Sequence, residues 1–224
     1  SLSAVIEPLA RDSMYGTLLR AYLGHDAGSR VSSGQVRRGD QQDVRAVFWF
    51  SDLRGFTQLS EALTRSELLD LLNDVFEAVV EGLQAHGGQV LKFIGDGMLA
   101  LFVVDGDAAA ACQAATRAAD EVQERLADLR SLRRGAGLAV ADVGIGMHLG
   151  DATYGNIGAP GRLDFTVIGP AVNLSARVEG LCRPLGEDVL ATEDVARLSG
   201  GWREVGVHAL KGVAAPVAVF ARGG

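Results

Sequence analysis

Apolar and polar positions along this chain change period several times, and each change marks an expected element. Val5, Ile6, Leu9, Met14, Tyr15, Leu18, Leu19, Tyr22 and Leu23 recur every three or four residues, which predicts an amphipathic helix ending at Gly24. Residues 24–44 are polar, charged and glycine-containing, and read as a connector. The division expected is therefore an N-terminal helix and connector over 1–44 and one domain over 45–224. RAVFWF at 45–50 is a run of β-formers that predicts a buried strand. From Ser66, the expected N-cap, Leu68, Leu69, Leu72, Val75, Phe76, Val79, Val80 and Leu83 keep helical spacing up to Gly87-Gly88. Residues 90–102, VLKFIGDGMLALF, set two apolar runs on either side of a Gly-Asp-Gly corner, the pattern of a β-hairpin.

The alanine-rich stretch 107–134 predicts a long helix packed closely through small residues. Residues 143–149 read as a strand, 152–162 as a glycine-rich loop or irregular strand, and 163–168 as another strand. A helix starts at Gly169-Pro170, because proline suits the first helical position. A short strand (189–191), a short helix (192–198) and two strands near 202–210 and 215–220 complete the chain. The order defines an α+β fold: a ferredoxin-like βαββαβ core with extra C-terminal strands. Its sheet is expected to be mainly antiparallel, with helices packed on one face.

Composition narrows the function classes. The 224 residues are 48% hydrophobic, enough for a sizeable core. A net charge of −7 and a pI near 5.1 argue against nucleic-acid binding through a basic face. Cys112 and Cys182 are too few and too far apart for a disulfide framework or a metal knuckle, which points to a reducing compartment, the cytoplasm. No run of roughly 18 apolar residues is present. The chain begins at Ser1 without a start methionine, so a sensor or membrane part of a longer protein is expected to be missing.

Candidate chemistry gathers at two acids. Asp52 ends the first strand, Asp96 tips the hairpin, and neighbouring strands bring their carboxylates to one end of the sheet. Two such carboxylates repel unless a cation lies between them, and hard oxygen donors suit Mg²⁺ or Mn²⁺ completed by substrate phosphates. The loop 53–57 offers backbone N–H groups as a phosphate cradle, with Gly55, Phe56 and Thr57 at its turn. Lys92 sits inside an apolar strand, where lysine is seldom buried without a partner. Asn173 and Arg177, spaced i and i+4, point the same way from one helix. His148 reads as a packed core histidine rather than a catalyst.

FSDLRGFT at 50–57, KFIGDG at 92–97 and TVIGPAVNLSAR at 166–177 resemble, in order and spacing, the three signature blocks of class III nucleotide cyclases. Lys211-Gly212 extends the likeness, which covers roughly residues 45–220. The resemblance implies that Asp52, Asp96 and the Leu53 carbonyl hold two divalent ions, Mg²⁺ or Mn²⁺. It implies that Asn173 orients the ribose, Arg177 meets charge on the α-phosphate, and Lys211 binds the terminal phosphates. Lys92 and Thr166 occupy the base-selecting positions. Adenine-selective members pair lysine with Asp or Thr there, and guanylate cyclases use Glu and Cys. The Lys/Thr pair resembles the subgroup that includes bicarbonate-responsive cyclases. Pro170-Ala171 departs from the Asp or Asn that many members carry after the glycine. The expected activity is a bacterial adenylate cyclase making 3′,5′-cyclic AMP and pyrophosphate from ATP. The expected assembly is an antiparallel homodimer with two shared sites. The alternatives are a guanylate cyclase and a nucleotide-binding regulatory domain without catalysis.

Overall fold

The computed structural model describes residues 41–159 and 162–223. The expected helix over 5–23 and all but the last residues of the connector lie outside the described residues. The first strand, β1 (Gln41–Leu53), starts earlier than the apolar run, and its buried part begins at Ala46. It is followed by α1 (Phe56–Ala62) and α2 (Arg65–Ala85), then the hairpin β2 (Gln89–Ile94) and β3 (Gly97–Val103). Next come α3 (Ala108–Gly135), β4 (Val143–Ala159), β5 (Arg162–Ile168), α4 (Pro170–Glu179) and the short α5 (Cys182–Leu185). The chain closes with β6 (Val189–Thr192), α6 (Glu193–Ser199), β7 (Trp202–His208) and β8 (Val217–Arg222).

The sheet runs β2-β3-β1-β4-β6-β8-β7, with β5 pairing β4. β1 and β2 both pair antiparallel with β3, and β8 pairs antiparallel with β6 and β7. β4 and β6 are parallel. The order β2-β3-β1-β4 is the expected βαββαβ core, and β6, β8 and β7 extend it.

Contacts divide the chain into two compact units. One contains Thr153–Ile168, an antiparallel ribbon in which Tyr154 pairs with Val167 and Gly155 with Thr166. Asp43 belongs to it and accepts a hydrogen bond from Thr153 Oγ1 at 2.9 Å. The glycine-rich stretch after 152 is thus regular strand up to Ala159, because its backbone is paired with β5. The other unit, Val44–Ala152 with Gly169–Gly224, carries the rest of the sheet and its helices.

In this larger unit the period-2 rule of strands sorts two cores. Val47, Trp49, Ile145, Met147, Val189 and Ala191 face the core that α2 and α3 cover with Leu71, Val75, Val79, Cys112, Ala115 and Val122. Leu190 and Val219 face the second core, with Val178 of α4 and Cys182 of α5. Helices therefore cover both faces, and α4 and α5 add a layer where one was expected. α2 and α3 cross closely at Gly82, where a methyl group would lie 2.6 Å from Val122 Cγ2. The N-cap of α2 is Thr64, not Ser66. Its hydroxyl accepts from Glu67 N at 3.3 Å while Glu67 accepts from Thr64 N at 2.8 Å, a capping box overlooked in the pattern reading. His148 Nδ1 lies 2.9 Å from Thr192 Oγ1, and burial lowers its pKa, as suits a core histidine. Cys112 and Cys182 are free and buried, and burial pushes their thiols up to about 11 and about 12. No helix among the described residues is long and apolar enough to cross a membrane.

Candidate active site

Register alone brings the two acids together. Asp52, next to last in β1, stands opposite Gly97 of β3. Ile94 also pairs with Gly97, so the hairpin turn is only Gly95-Asp96. Gly95 takes φ 65°, which a two-residue turn of this kind requires at its first central position. Asp96 therefore sits on a short, tied corner beside the end of β1. Gly97 leaves the room: a Cβ there would lie 3.0 Å from both Asp52 Oδ1 and Ser51 O.

The electrostatics follow from that closeness. Partial burial, the Asp96 charge and a hydrogen bond shared with Asp96 push Asp52 up to about 6, against the opposing bond from the Leu53 N–H. A third carboxylate, Glu179 at the end of α4, is pushed up to about 7 by burial and by the Asp52 charge, against Arg54, with Asp96 adding to the rise. Like charges held close are unfavourable until a cation joins them, so the donor set fits a hard divalent ion. Among the described residues no set of three acidic, His or Cys side chains converges tightly enough to cage a metal. Glu179 thus acts through space, and an ion at Asp52 and Asp96 would complete its shell with oxygens from elsewhere.

The loop after Asp52 is anchored at Arg54, through both its backbone and its side chain. Arg54 N donates to Asp142 O at 2.8 Å. Its guanidinium pairs with Asp188 at 3.0 Å and donates to the Glu187 carbonyl. Gly55, at φ 71°, caps α1, of which Phe56 and Thr57 are the first residues. The first intrahelical bond is Leu59 N to Gly55 O, so the N–H groups of 56–58 have no acceptor within the helix. Phe56 packs against the main core.

The other expected residues fall elsewhere. Lys92 is half-buried in β2 opposite Leu99, beyond a register shift that starts at Val90. Asn173 and Arg177 are exposed, one turn apart on α4. Lys211 lies in the exposed turn before Gly212. Thr166 belongs to the ribbon unit, opposite Gly155. The structure thus unites Asp52, Leu53, Asp96 and the following loop, and groups Asn173 with Arg177. Sequence reasoning missed Glu179 and Arg54. The signal for Glu179 was available: it continues the buried stripe Ala171, Ser175, Val178 of α4, where an acid is out of place.

Residues 40–203 match the family described as the adenylate and guanylate cyclase catalytic domain, and the chain belongs to that family. An adenylate cyclase of Anabaena cylindrica is 39% identical over 163 residues, 72% of this chain and 32% of that protein. The solved adenylyl cyclase CyaB of P. aeruginosa is 30% identical with a TM-score of 0.73, covering 81% of this chain and 95% of that one. The solved guanylyl cyclase Cya2 is 29% identical with a TM-score of 0.70, covering 83% and 93%. The α+β fold and the class III resemblance are thereby established. The chain spans about a third or less of the first curated relatives it matches, 32% and 24% of their lengths. Domains of this family use divalent metal ions.

Proposed function

We propose that this chain is the catalytic part of an adenylate cyclase that converts ATP to 3′,5′-cyclic AMP and pyrophosphate. The observation that carries the reading is the Asp52–Asp96 pair, held together by strand register, with no ion pair to either acid among the described residues. In the reaction the ribose 3′-oxygen bonds to the α-phosphorus, the bond to the bridging oxygen breaks, and the hydroxyl proton passes to water. Asp52, Asp96 and the Leu53 carbonyl would hold two ions, Mg²⁺ or Mn²⁺, which when bound acidify the hydroxyl and offset phosphate charge. The open N–H groups of Phe56 and Thr57, after the left-handed Gly55, face the phosphates as donors. Lys211 binds the terminal phosphates as a point charge. Asn173 orients the ribose, and the planar fork of Arg177 donates to the α-phosphate oxygens as charge builds there.

The exposure of Asn173 and Arg177 on the outer flank of α4 supports a site completed across an antiparallel homodimer. Each protomer then supplies metal acids to one site and transition-state residues to the other. The setting proposed for it is the cytoplasm.

A guanylate cyclase is the second reading, favoured by the near-equal likeness to Cya2. The base-reading pair argues against it. Lys92 can donate to adenine N1, and the Thr166 hydroxyl can accept from the exocyclic amine. The test is product formation from ATP and from GTP with each metal. Cyclic AMP is the expected main product, and cyclic GMP as the main product would reverse the base assignment. No product from either nucleotide, with binding retained, would favour a regulatory domain. Lys92→Glu with Thr166→Cys should move the preference towards GTP.

A further inference from the structure

Glu179 is placed by backbone contacts that nothing in the proposed reaction requires. Gly144, Gly146 and Gly150 recur at period 2 on the face of β4 that meets α4. None of the three takes a positive φ, so space rather than backbone freedom calls for glycine there. A Cβ on Gly144 would fall 2.5 Å from Glu179 Oε1 and 3.1 Å from Cys182 Cβ. A Cβ on Gly146 would fall 2.5 Å from Ser175 O and 2.6 Å from Glu179 Cα. The last turn of α4 therefore lies directly on the strand, with the Glu179 side chain filling the hollow above Gly144. The charges of Asp52, Arg54 and Asp96 act on that carboxylate. Asn173 and Arg177 ride the same helix on its exposed flank.

We propose, resting on the cyclase reading, that Glu179 is a positioning residue: seated over Gly144 and Gly146, it fixes the last turn of α4 and so the reach of Asn173 and Arg177. The effect is on geometry, so it appears in turnover rather than in nucleotide binding. Misplacing a transition-state group by about 1 Å costs up to about 10²-fold in rate.

The test compares Glu179→Ala, Gly144→Ala and Glu179→Gln in the full chain. Glu179→Ala empties the hollow and Gly144→Ala displaces the carboxylate. Each should lower kcat by roughly ten- to a hundredfold with KM for ATP changed less than about twofold. Glu179→Gln keeps the shape and should stay within about threefold of wild type. Amide hydrogen exchange of 173–179 should accelerate in the first two variants and not in the third. In an Arg177→Lys background, Gly144→Ala should cost less than it does in wild type, because part of its effect runs through Arg177. Unchanged kcat in both Glu179→Ala and Gly144→Ala overturns the proposal. So does a Gln variant as impaired as Ala, or full additivity with Arg177→Lys. If Glu179→Ala does not fold, Gly144→Ala and Glu179→Gln still decide. A wild-type chain without turnover sinks the cyclase reading and this proposal together. An active wild type with unaffected variants sinks the positioning role alone.

Discussion

Glu121 and Asp52 are carboxylates of one compact unit, and their surroundings treat them in opposite ways. Glu121, between α2 and α3, accepts from Arg125 at 2.9 Å and lies 2.8 Å from His86. The Arg125 bond holds it below the usual carboxylate range. Arg125 also reaches Glu81 at 2.5 Å, and Arg133 pairs with Asp74 in the same helical layer. Asp52 is pushed up to about 6 by burial and by a second acid, and Glu179 to about 7. Arg54, which opposes the rise at Glu179, is itself committed to Asp188 and the Glu187 carbonyl. Charges that hold helices together are neutralised within the chain. The acids at the end of β1 are held close with no ion pair to either among the described residues, an arrangement that costs stability unless a cation joins them.

The largest effect should come from the acid pair itself. Asp96→Ala is expected to lower cyclic-nucleotide formation by at least 10²-fold, the scale of removing one preorganised electrostatic partner. Parent-rate activity in that variant would end the metal assignment. Asp52→Asn should separate the two sides of the comparison: activity falls similarly, while the metal-free protein gains about 2–4 °C in thermal midpoint, the range for a chain of this size.

The split site gives an intermediate effect. Asp52→Ala and Arg177→Ala proteins, each inactive alone, should recover up to about a quarter of wild-type activity when mixed, since half the dimers carry one intact site. Demonstrated heterodimers without recovery would count against sharing.

A smaller effect separates the two regions by pH. The folded-state pKa values of Asp52 and Glu179 lie above their ordinary 3.8 and 4.5, so the folded chain holds extra protons between roughly pH 4 and 7. Their contribution to stability is full below about pH 4 and is lost as pH rises through about 6 and 7. In thermal melts without metal, Glu179→Gln should flatten this loss relative to wild type. Calorimetry in buffers of different ionisation enthalpy should show Mn²⁺ releasing protons near pH 6.5. An identical pH profile in the variant would remove Glu179 from the account. The smallest effect belongs to the neutralised layer. Arg125→Ala should move the midpoint by no more than about 2 °C and leave kcat unchanged, because solvent-exposed pairs contribute little.

Much of this site could be read from spacing. Asp96 was legible because a Gly-Asp-Gly corner between apolar runs leaves few backbone choices. Asp52 followed from the end of one apolar run. Both are local features, and the hairpin signal carries its own register. Glu179 was not read because its meaning depends on β4, many residues earlier in the chain. Only the close approach of α4 to Gly144 and Gly146 turns an ordinary helical acid into a neighbour of Asp52. Arg54 is similar: its partners Asp142, Glu187 and Asp188 are brought to it by tertiary structure. α1 begins inside the loop expected over 53–57, and with only seven residues after a left-handed Gly55 it carries little periodic signal of its own. In the ribbon after 152, glycines dilute the β pattern of the sequence, and pairing with β5 makes it regular strand.

The two buried cysteines have a practical consequence. With thiols raised to about 11 and about 12, Cys112 and Cys182 hold almost no thiolate at neutral pH. The native chain is thus slow towards alkylating reagents without any engineering. A single Leu132→Cys exchange, at an exposed position of α3, would supply one fast-reacting handle. Fluorophores or spin labels attached there would report protomer association against a silent background.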